Sequence, residues 1–144
     1  MKLVIKHYDE LTLDELHDIL KLRVAVFVVE QSCPYQEVDG HDPQAYHLWI
    51  EDDETGILSY LRVLPPATTH ADASIGRVVS LVRRQGLATR LLREGIRVAR
   101  EKFGAEHITL DSQVYVRSLY EKVGFMQVSE EFLEDGIPHV RMRL

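Results

Sequence analysis

The segment from Val78 to Phe103 constrains the fold most, because an apolar strand-like run leads through a short polar turn directly into an amphipathic helix. The run Val78-Val79-Ser80-Leu81-Val82 precedes the turn residues Arg83-Arg84-Gln85-Gly86. Apolar residues then recur at helical spacing, at Leu87, Leu91, Leu92, Ile96, Ala99 and Phe103. Such a stripe is typical of a helix that buries one face against a sheet. Because a helix start carries unpaired N–H groups and the positive end of the helix dipole, this turn predicts an anion site.

The first half of the chain predicts one helix and an antiparallel meander. A short strand over Lys2 to His7 precedes a helix from Leu13 to Val29, for which Thr12 is a suitable N-cap. Three strand-like runs follow, at Tyr46 to Glu51, Gly56 to Leu64 and Ala73 to Ser80. Residues 31–45 are polar and punctuated by Pro and Gly, which indicates a long loop of the kind that is often functional in a small domain.

The second half changes to β–α–β order. A short strand over His107 to Leu110 leads to a short helix from Val116 to Lys122, and a hairpin spans Met126 to Leu144. We therefore predict an α/β (α+β) fold with a mixed, mostly antiparallel sheet of six to seven strands flanked by helices. One domain should span residues 1–144, because this length suits a single core.

Composition excludes several classes of function. The formal net charge of −6 argues against generic nucleic-acid binding, which needs a broad basic surface. No apolar run approaches the roughly 18 residues of a membrane span. The single Cys33 cannot form an internal disulfide, so we expect a cytoplasmic protein. Arginines nevertheless cluster between Arg77 and Arg100, and they can attract a small anion locally.

Other phosphate and metal motifs fit poorly. The chain has no Gly-x-x-x-x-Gly-Lys-Ser/Thr loop, and no Gly-x-Gly-x-x-Gly follows the first strand. Cys33, His41 and His47 lie in one region, but their spacings match no zinc pattern, so we expect no metal.

Two motifs carry a resemblance to the Gcn5-related N-acetyltransferases (GNAT family). The turn Arg83-Arg84-Gln85-Gly86-Leu87-Ala88 is similar to the family's Arg/Gln-x-x-Gly-x-Gly/Ala signature. The second motif, Leu119-Tyr120-Glu121-Lys122-Val123-Gly124-Phe125, resembles the family's Leu-Tyr-x-x-x-Gly-Phe and follows the next strand. Three further segments resemble the ElaA-like branch: Phe27 to Gln31, Cys33 to Gly40 and Glu134 to His139.

The resemblance implies acetyl-CoA, or coenzyme A, as the acyl-donor substrate. The backbone N–H groups of Arg83, Arg84, Gln85, Gly86, Leu87 and Ala88 would bind the diphosphate, an arrangement that suits a helix start. The pantetheine arm would pair with the backbone at Val78 and Ser80, and an N–H near Val78 would stabilise the oxyanion. Tyr120 holds the family's position for the acid that protonates the leaving thiolate, although a Tyr there also packs a short helix against a sheet.

The general base is left open by the sequence. The acidic candidates are Glu30, Glu37, Asp39 and Asp42, the histidine candidates are His47 and His139, and a water chain would also serve. Arg62 and Arg77 either bind a carboxylate on the substrate or are ordinary charges on the sheet surface. Cys33 could carry the acetyl group as a nucleophile, but a loop cysteine without a paired base makes this the weaker route.

We therefore expect an acetyl-CoA-dependent N-acetyltransferase that acts on a primary amine by direct attack in a ternary complex. The alternative is a non-catalytic acyl-CoA-binding module with the same cleft. The acceptor is not identified by these motifs. The expected partners include neither nucleic acid nor a membrane, and an exposed edge in the last hairpin would suit a homodimer.

Overall fold

The computed structural model describes residues 1–82 and 86–144. The strands are β1 (Lys2–His7), β2 (Tyr46–Asp52), β3 (Gly56–Leu64), β4 (Ser74–Ser80), β5 (Thr109–Gln113), β6 (Met126–Gln127), β7 (Phe132–Glu134) and β8 (Ile137–Arg143). The helices are α1 (Leu13–Arg23), α2 (Leu87–Phe103) and α3 (Arg117–Glu121). A π-helical segment over Val24–Glu30 extends α1, and single 3₁₀ turns occur at Tyr8–Glu10, Asp42–Gln44 and Val114–Val116.

The strands form two four-stranded sheets. The first has the order β1-β2-β3-β4, and in the second β8 pairs with β5 on one edge and with β6 and β7 on the other, all antiparallel. A parallel bridge between Ala73 and Ile108 connects the sheets. Among the described residues no ladder continues between β4 and β5 past this bridge. The two strands therefore leave an opening beside their carboxyl ends.

This topology confirms the α/β class and the mostly antiparallel, helix-flanked arrangement, and it corrects the strand count. In the described part of the chain, eight strands in two sheets replace the predicted six to seven in one. The divergence of β4 from β5 separates the sheets, and the first arm of the predicted hairpin is divided into the short strands β6 and β7. Neither event has a local signature, because both depend on which strands meet.

Helix α2 supplies six buried residues of the main core cluster, and the strands supply most of the others among the described residues. Leu91 and Leu92 are fully buried, and Gly95 allows close packing on the sheet. A Cβ at Gly95 would lie 3.2 Å from Leu61 Cδ1 and 3.3 Å from Ile75 Cδ1. The predicted end of the helix is confirmed, since Gly104 caps it at φ 60°.

Helix α1 begins as predicted, with Thr12 as N-cap in a capping box with Glu15. The predicted helix to Val29 is regular only to Arg23 and continues in π-helical form. Four valines crowd this extension, and β-branched side chains disfavour a regular α-helix. Within residues 1–82 and 86–144, no helix combines the length and apolarity needed to cross a bilayer.

Candidate active site

A cleft of about 1090 Å³ lies where β4 and β5 diverge. The predicted residues Val78 and Ser80 line it from β4, Ala88 lines it from the first turn of α2, and Tyr120 lines it from α3. The topology therefore brings the two sequence motifs to one cavity, although 32 positions separate Ala88 from Tyr120.

The start of α2 is well suited to an anion. Gly86 is its N-cap in the left-handed conformation, at φ 67°, and Leu87 and Ala88 open the first turn. The Leu87 side chain belongs to the core, so this residue can contribute to a site only through its backbone. The predicted contacts Arg83, Arg84 and Gln85 lie outside the described residues.

Tyr120 is packed and also reaches the cleft. Its side chain is 7% exposed, and its ring meets Phe125 edge-on at 6.1 Å between centroids. Burial raises the pKa of Tyr120, so the hydroxyl keeps its proton at neutral pH and can donate it. Both the packing and the acid interpretation are compatible with this placement.

A buried arginine–carboxylate network forms one side of the cleft. Its members are Arg23, Arg62, Arg77, Glu37, Asp39 and Asp42, three cations and three anions. Arg23 is fully buried and donates to Glu37 Oε2 and Asp42 Oδ1, each at 2.7 Å. Arg62 donates to Asp42 Oδ1 at 3.0 Å and also pairs with Asp39. The network joins the end of α1 and residues 31–45 to β3 and β4.

The network contains three of the six side chains predicted as possible bases: Glu37, Asp39 and Asp42. Burial alone would raise the pKa of Asp39 and Asp42, but hydrogen bonds from arginine outweigh it and hold both pKa values below the usual range. Glu37 is 4% exposed and accepts from Arg23 and Arg77 at 2.7 Å each. Asp39 and Asp42 are therefore poor proton acceptors, and the Oε2 atom of Glu37 is already engaged by two arginines.

His47 is also unsuited to act as a base. The ring is fully buried, and it hydrogen-bonds the Tyr60 hydroxyl at 2.7 Å and the Asp42 carbonyl at 3.1 Å. Burial lowers the pKa of His47, and the ring lies outside the residues that line the cleft. Its role is to hold the sheet against the network.

Neither Arg62 nor Arg77 is free to bind a substrate carboxylate, and neither is an ordinary charge on the sheet surface. Arg62 is 2% exposed and is neither a surface charge nor free for a substrate carboxylate, because Asp39 and Asp42 hold it. Arg77 does line the cleft, but its Nε donates to Glu37 Oε2 at 2.7 Å.

Of the predicted bases, Glu30, Asp39 and His139 line the cleft, and Asp39 is paired with arginines, which leaves Glu30 and His139. Glu30 is exposed at the end of the π-helical segment. The Nδ1 atom of His139 lies 2.7 Å from the Ile137 carbonyl, which can only accept, so the proton of a neutral ring is on Nδ1. The other nitrogen, Nε2, then carries the lone pair and lies 3.6 Å from Glu134.

Sequence reasoning missed the roles of three further residues that line the cleft: Tyr35, His70 and Asp111. His70 Nε2 lies 3.2 Å from Asp111 Oδ2, and Arg141 donates to Asp111 Oδ1 at 2.9 Å. The third is Tyr35, whose hydroxyl donates to Glu37. No local pattern signals these pairs, because 41 positions separate His70 from Asp111. In the described parts of the chain, no three His, Cys, Asp or Glu side chains group as metal ligands.

Cys33 also lines the cleft, and it is 7% exposed. Burial raises the pKa of the Cys33 thiol, which reduces its thiolate fraction at neutral pH. This environment disfavours the nucleophilic route.

Comparison with known proteins identifies the family. The family model "Acetyltransferase (GNAT) domain" matches residues 15–144. A solved acyl-CoA N-acyltransferase from Pseudomonas aeruginosa is 41% identical, covers 99% of each chain and superposes with a TM-score of 0.90. The Escherichia coli ElaA structure is 30% identical over 99% of this chain and 97% of that one, also with a TM-score of 0.90. A UPF0039 protein of Schizosaccharomyces pombe is 38% identical over 100% of this chain and 97% of its own length.

The match covers both motifs, the cleft between them and nearly the full length of the relatives. The chain belongs to the GNAT acetyltransferase family, in its ElaA-like branch.

Proposed function

We propose that this protein transfers an acetyl group from acetyl-CoA to a primary amine by direct attack in a ternary complex. The observation that carries the proposal is the single cleft that Val78, Ala88 and Tyr120 share. Family membership supports acyl transfer from an acyl-CoA in general, and the choice of acetyl group and amine is our own.

The donor would lie along β4. Its diphosphate would bind at Arg83 to Ala88, where the described start of α2 offers N–H groups. The pantetheine would run beside Val78 and Ser80, with the thioester between β4 and Tyr120. Backbone donors suit this task because they cost no reorganisation when the oxyanion forms.

The reaction then needs one base and one acid. The amine nitrogen attacks the thioester carbon, a C–N bond forms, and a main-chain N–H near Val78 stabilises the oxyanion. The tetrahedral intermediate collapses as the C–S bond breaks, and Tyr120 protonates the thiolate. His139 Nε2 takes the amine proton, and the nearby Glu134 carboxylate stabilises the imidazolium. Glu30 is the competing base.

Release of free CoA thiol from acetyl-CoA, measured with a panel of amines, tests the function. We expect turnover with at least one amine, and Tyr120→Phe should lower kcat by about 10²–10⁴-fold because a Phe ring packs equally well but donates no proton. Acetyl-CoA binding by calorimetry should change little in this variant. Coenzyme binding without turnover on any amine would instead identify a non-catalytic acyl-CoA-binding module.

The base is tested by the pH dependence of two variants. His139→Gln should lose kcat/KM at neutral pH, and the loss should shrink above the amine's own pKa, where bulk water has already removed the proton. Glu30→Gln tests the competing base, and it should keep its kcat/KM if His139 accepts the proton. A deficit of His139→Gln that stays constant with pH would contradict the assignment.

A further inference from the structure

Strand β4 contains a bulge at the proposed thioester position. Tyr60 pairs with Val79, and Arg62 pairs with Gly76, so Leu61 alone faces both Arg77 and Val78. The extra residue of a bulge is not paired in the ladder, which frees main-chain groups for other partners.

The bulge requires an unusual backbone conformation. Arg77 has φ 53°, in the left-handed region, where glycine is the usual residue of a bulge. Gly76 immediately precedes it but has no positive φ. The chain therefore places a long charged side chain at the strained position, although a glycine stands next to it.

The Arg77 side chain is held at several points. Nε donates to Glu37 Oε2 at 2.7 Å, and Nη2 lies 3.4 Å from both the Glu37 carbonyl and Asp39 Oδ2. The guanidinium also lies over the Tyr35 ring, 5.5 Å from its centroid. These four contacts all come from residues 31–45, which the buried Arg23 anchors in turn.

We infer that Arg77 is a positioning residue, whose clamp to Glu37 and Asp39 holds the β4 bulge so that the main chain at Val78 faces the acyl carbonyl. The inference rests on the proposed function, since it assumes that a thioester binds at Val78. A purely stabilising role would not require the strained residue itself to carry the clamp. Arg23 and Arg62 would still pair with all three carboxylates of the network without Arg77.

The carbonyl ¹³C resonance of bound [1-¹³C]acetyl-CoA tests this role without a known acceptor. A hydrogen bond from the bulge should shift the resonance downfield in the wild-type complex relative to free acetyl-CoA. Arg77→Ala should lose most of that shift, because alanine disfavours a positive φ as arginine does but has no clamp to hold it there. Arg77→Gly should keep most of it, because glycine adopts this φ without a clamp.

Once an amine substrate is found, kcat should rank the variants as the carbonyl shift does, with Arg77→Gly close to the wild type and Arg77→Ala below both. We expect kcat to fall about tenfold in Arg77→Ala, the factor that corresponds to left-handed strain on a non-glycine residue, and to recover in Arg77→Gly. KM for acetyl-CoA should change little, since the diphosphate binds elsewhere. Arg97→Ala, which removes an exposed arginine with two carboxylate partners, should leave the resonance unchanged.

The inference would be overturned if the bound carbonyl ¹³C shift of Arg77→Ala equalled that of the wild type. It would also be overturned if the Ala and Gly variants lost this shift equally. If Arg77→Ala does not fold, Arg77→Asn and Arg77→Gln give the same contrast, because both carry an amide but Asn tolerates the left-handed region better. Failure of the proposed function has a different signature, since the wild-type protein would then bind no acetyl-CoA or leave its carbonyl resonance unshifted.

Discussion

Replacement of Arg23 by methionine should be one of the most destabilising single changes in this protein. Arg23 is fully buried at the end of α1, and Met fills a similar length without charge. The change removes a cation from the network and leaves two arginines against three carboxylates. Because these carboxylates are largely shielded from water, solvent cannot compensate for the missing cation.

The magnitude follows from the contacts of Arg23. Its hydrogen bonds reach Glu37 Oε2 and Asp42 Oδ1 at 2.7 Å each and the Glu37 carbonyl at 3.1 Å. The two carboxylate side chains are only 3% and 6% exposed. Removal of one partner from a buried ion pair costs about 3–5 kcal/mol. That loss is a large share of the roughly 5–15 kcal/mol that holds a domain folded.

Urea denaturation followed by far-UV circular dichroism measures this loss as a lower midpoint at an unchanged m-value. Arg97→Ala is the matched control, because Arg97 also pairs with two carboxylates, Glu94 and Glu101, but its side chain is 47% exposed. The control should cost less than about 1 kcal/mol.

A second variant distinguishes charge imbalance from lost packing. Arg23→Met combined with Asp42→Asn restores two arginines against two carboxylates, so the pair should lose less stability than the sum of the single changes. Strict additivity, or an Arg23→Met cost as small as that of Arg97→Ala, would refute the reasoning.

Three further predictions concern acid stability, packing and acceptor choice. Burial would raise the pKa of Asp111, but hydrogen bonds from His70 and Arg141 hold it at about 2 in the folded state, below the ordinary 3.8. This group therefore stabilises the fold above about pH 4, and the contribution of about 2 kcal/mol is lost as the pH falls toward 2. Thermal melts of Asp111→Asn should show a shallower loss of Tm over that interval, and a wild-type slope would contradict the assignment. Gly95→Leu should cost about 3 kcal/mol in urea denaturation, because its side chain would collide with Leu61 and Ile75, whereas Glu101→Leu on the exposed face of α2 should change little. The exposed acids Glu30, Glu134 and Asp135 line the cleft while the arginines there are paired, so spermidine should have a higher kcat/KM than glycine. Equal values, or a preference for glycine, would contradict this charge argument.

Much of the fold could be predicted because it depends on short-range signals. The Thr12 cap and the α2 stripe, which runs to Phe103, are confirmed almost to the residue. Each depends on neighbours within a turn or two, and the sequence displays those neighbours directly. The resemblance carried by the two motifs extended this information to the family.

The electrostatics of the site could not be predicted in the same way. Glu37, Asp39 and Asp42 were candidate bases from composition alone, and the structure pairs them with arginines from three other elements. The paired residues lie far apart in the sequence, by as many as 40 positions for Glu37 and Arg77. Whether a carboxylate accepts a proton or balances a buried cation depends on burial and partners, which no local pattern records.

The amino-acid sequence by itself determined the strand–turn–helix unit, because periodicity, caps and turn chemistry act within a few residues, and the resemblance of its two motifs indicated the family. Only the tertiary structure decided that the sheet divides between β4 and β5, that Arg77 occupies a strained bulge, and that His139 and Glu30 are the predicted bases that reach the cleft without an arginine partner among the described residues. These features arise where distant segments meet, and long-range packing selects the partners there.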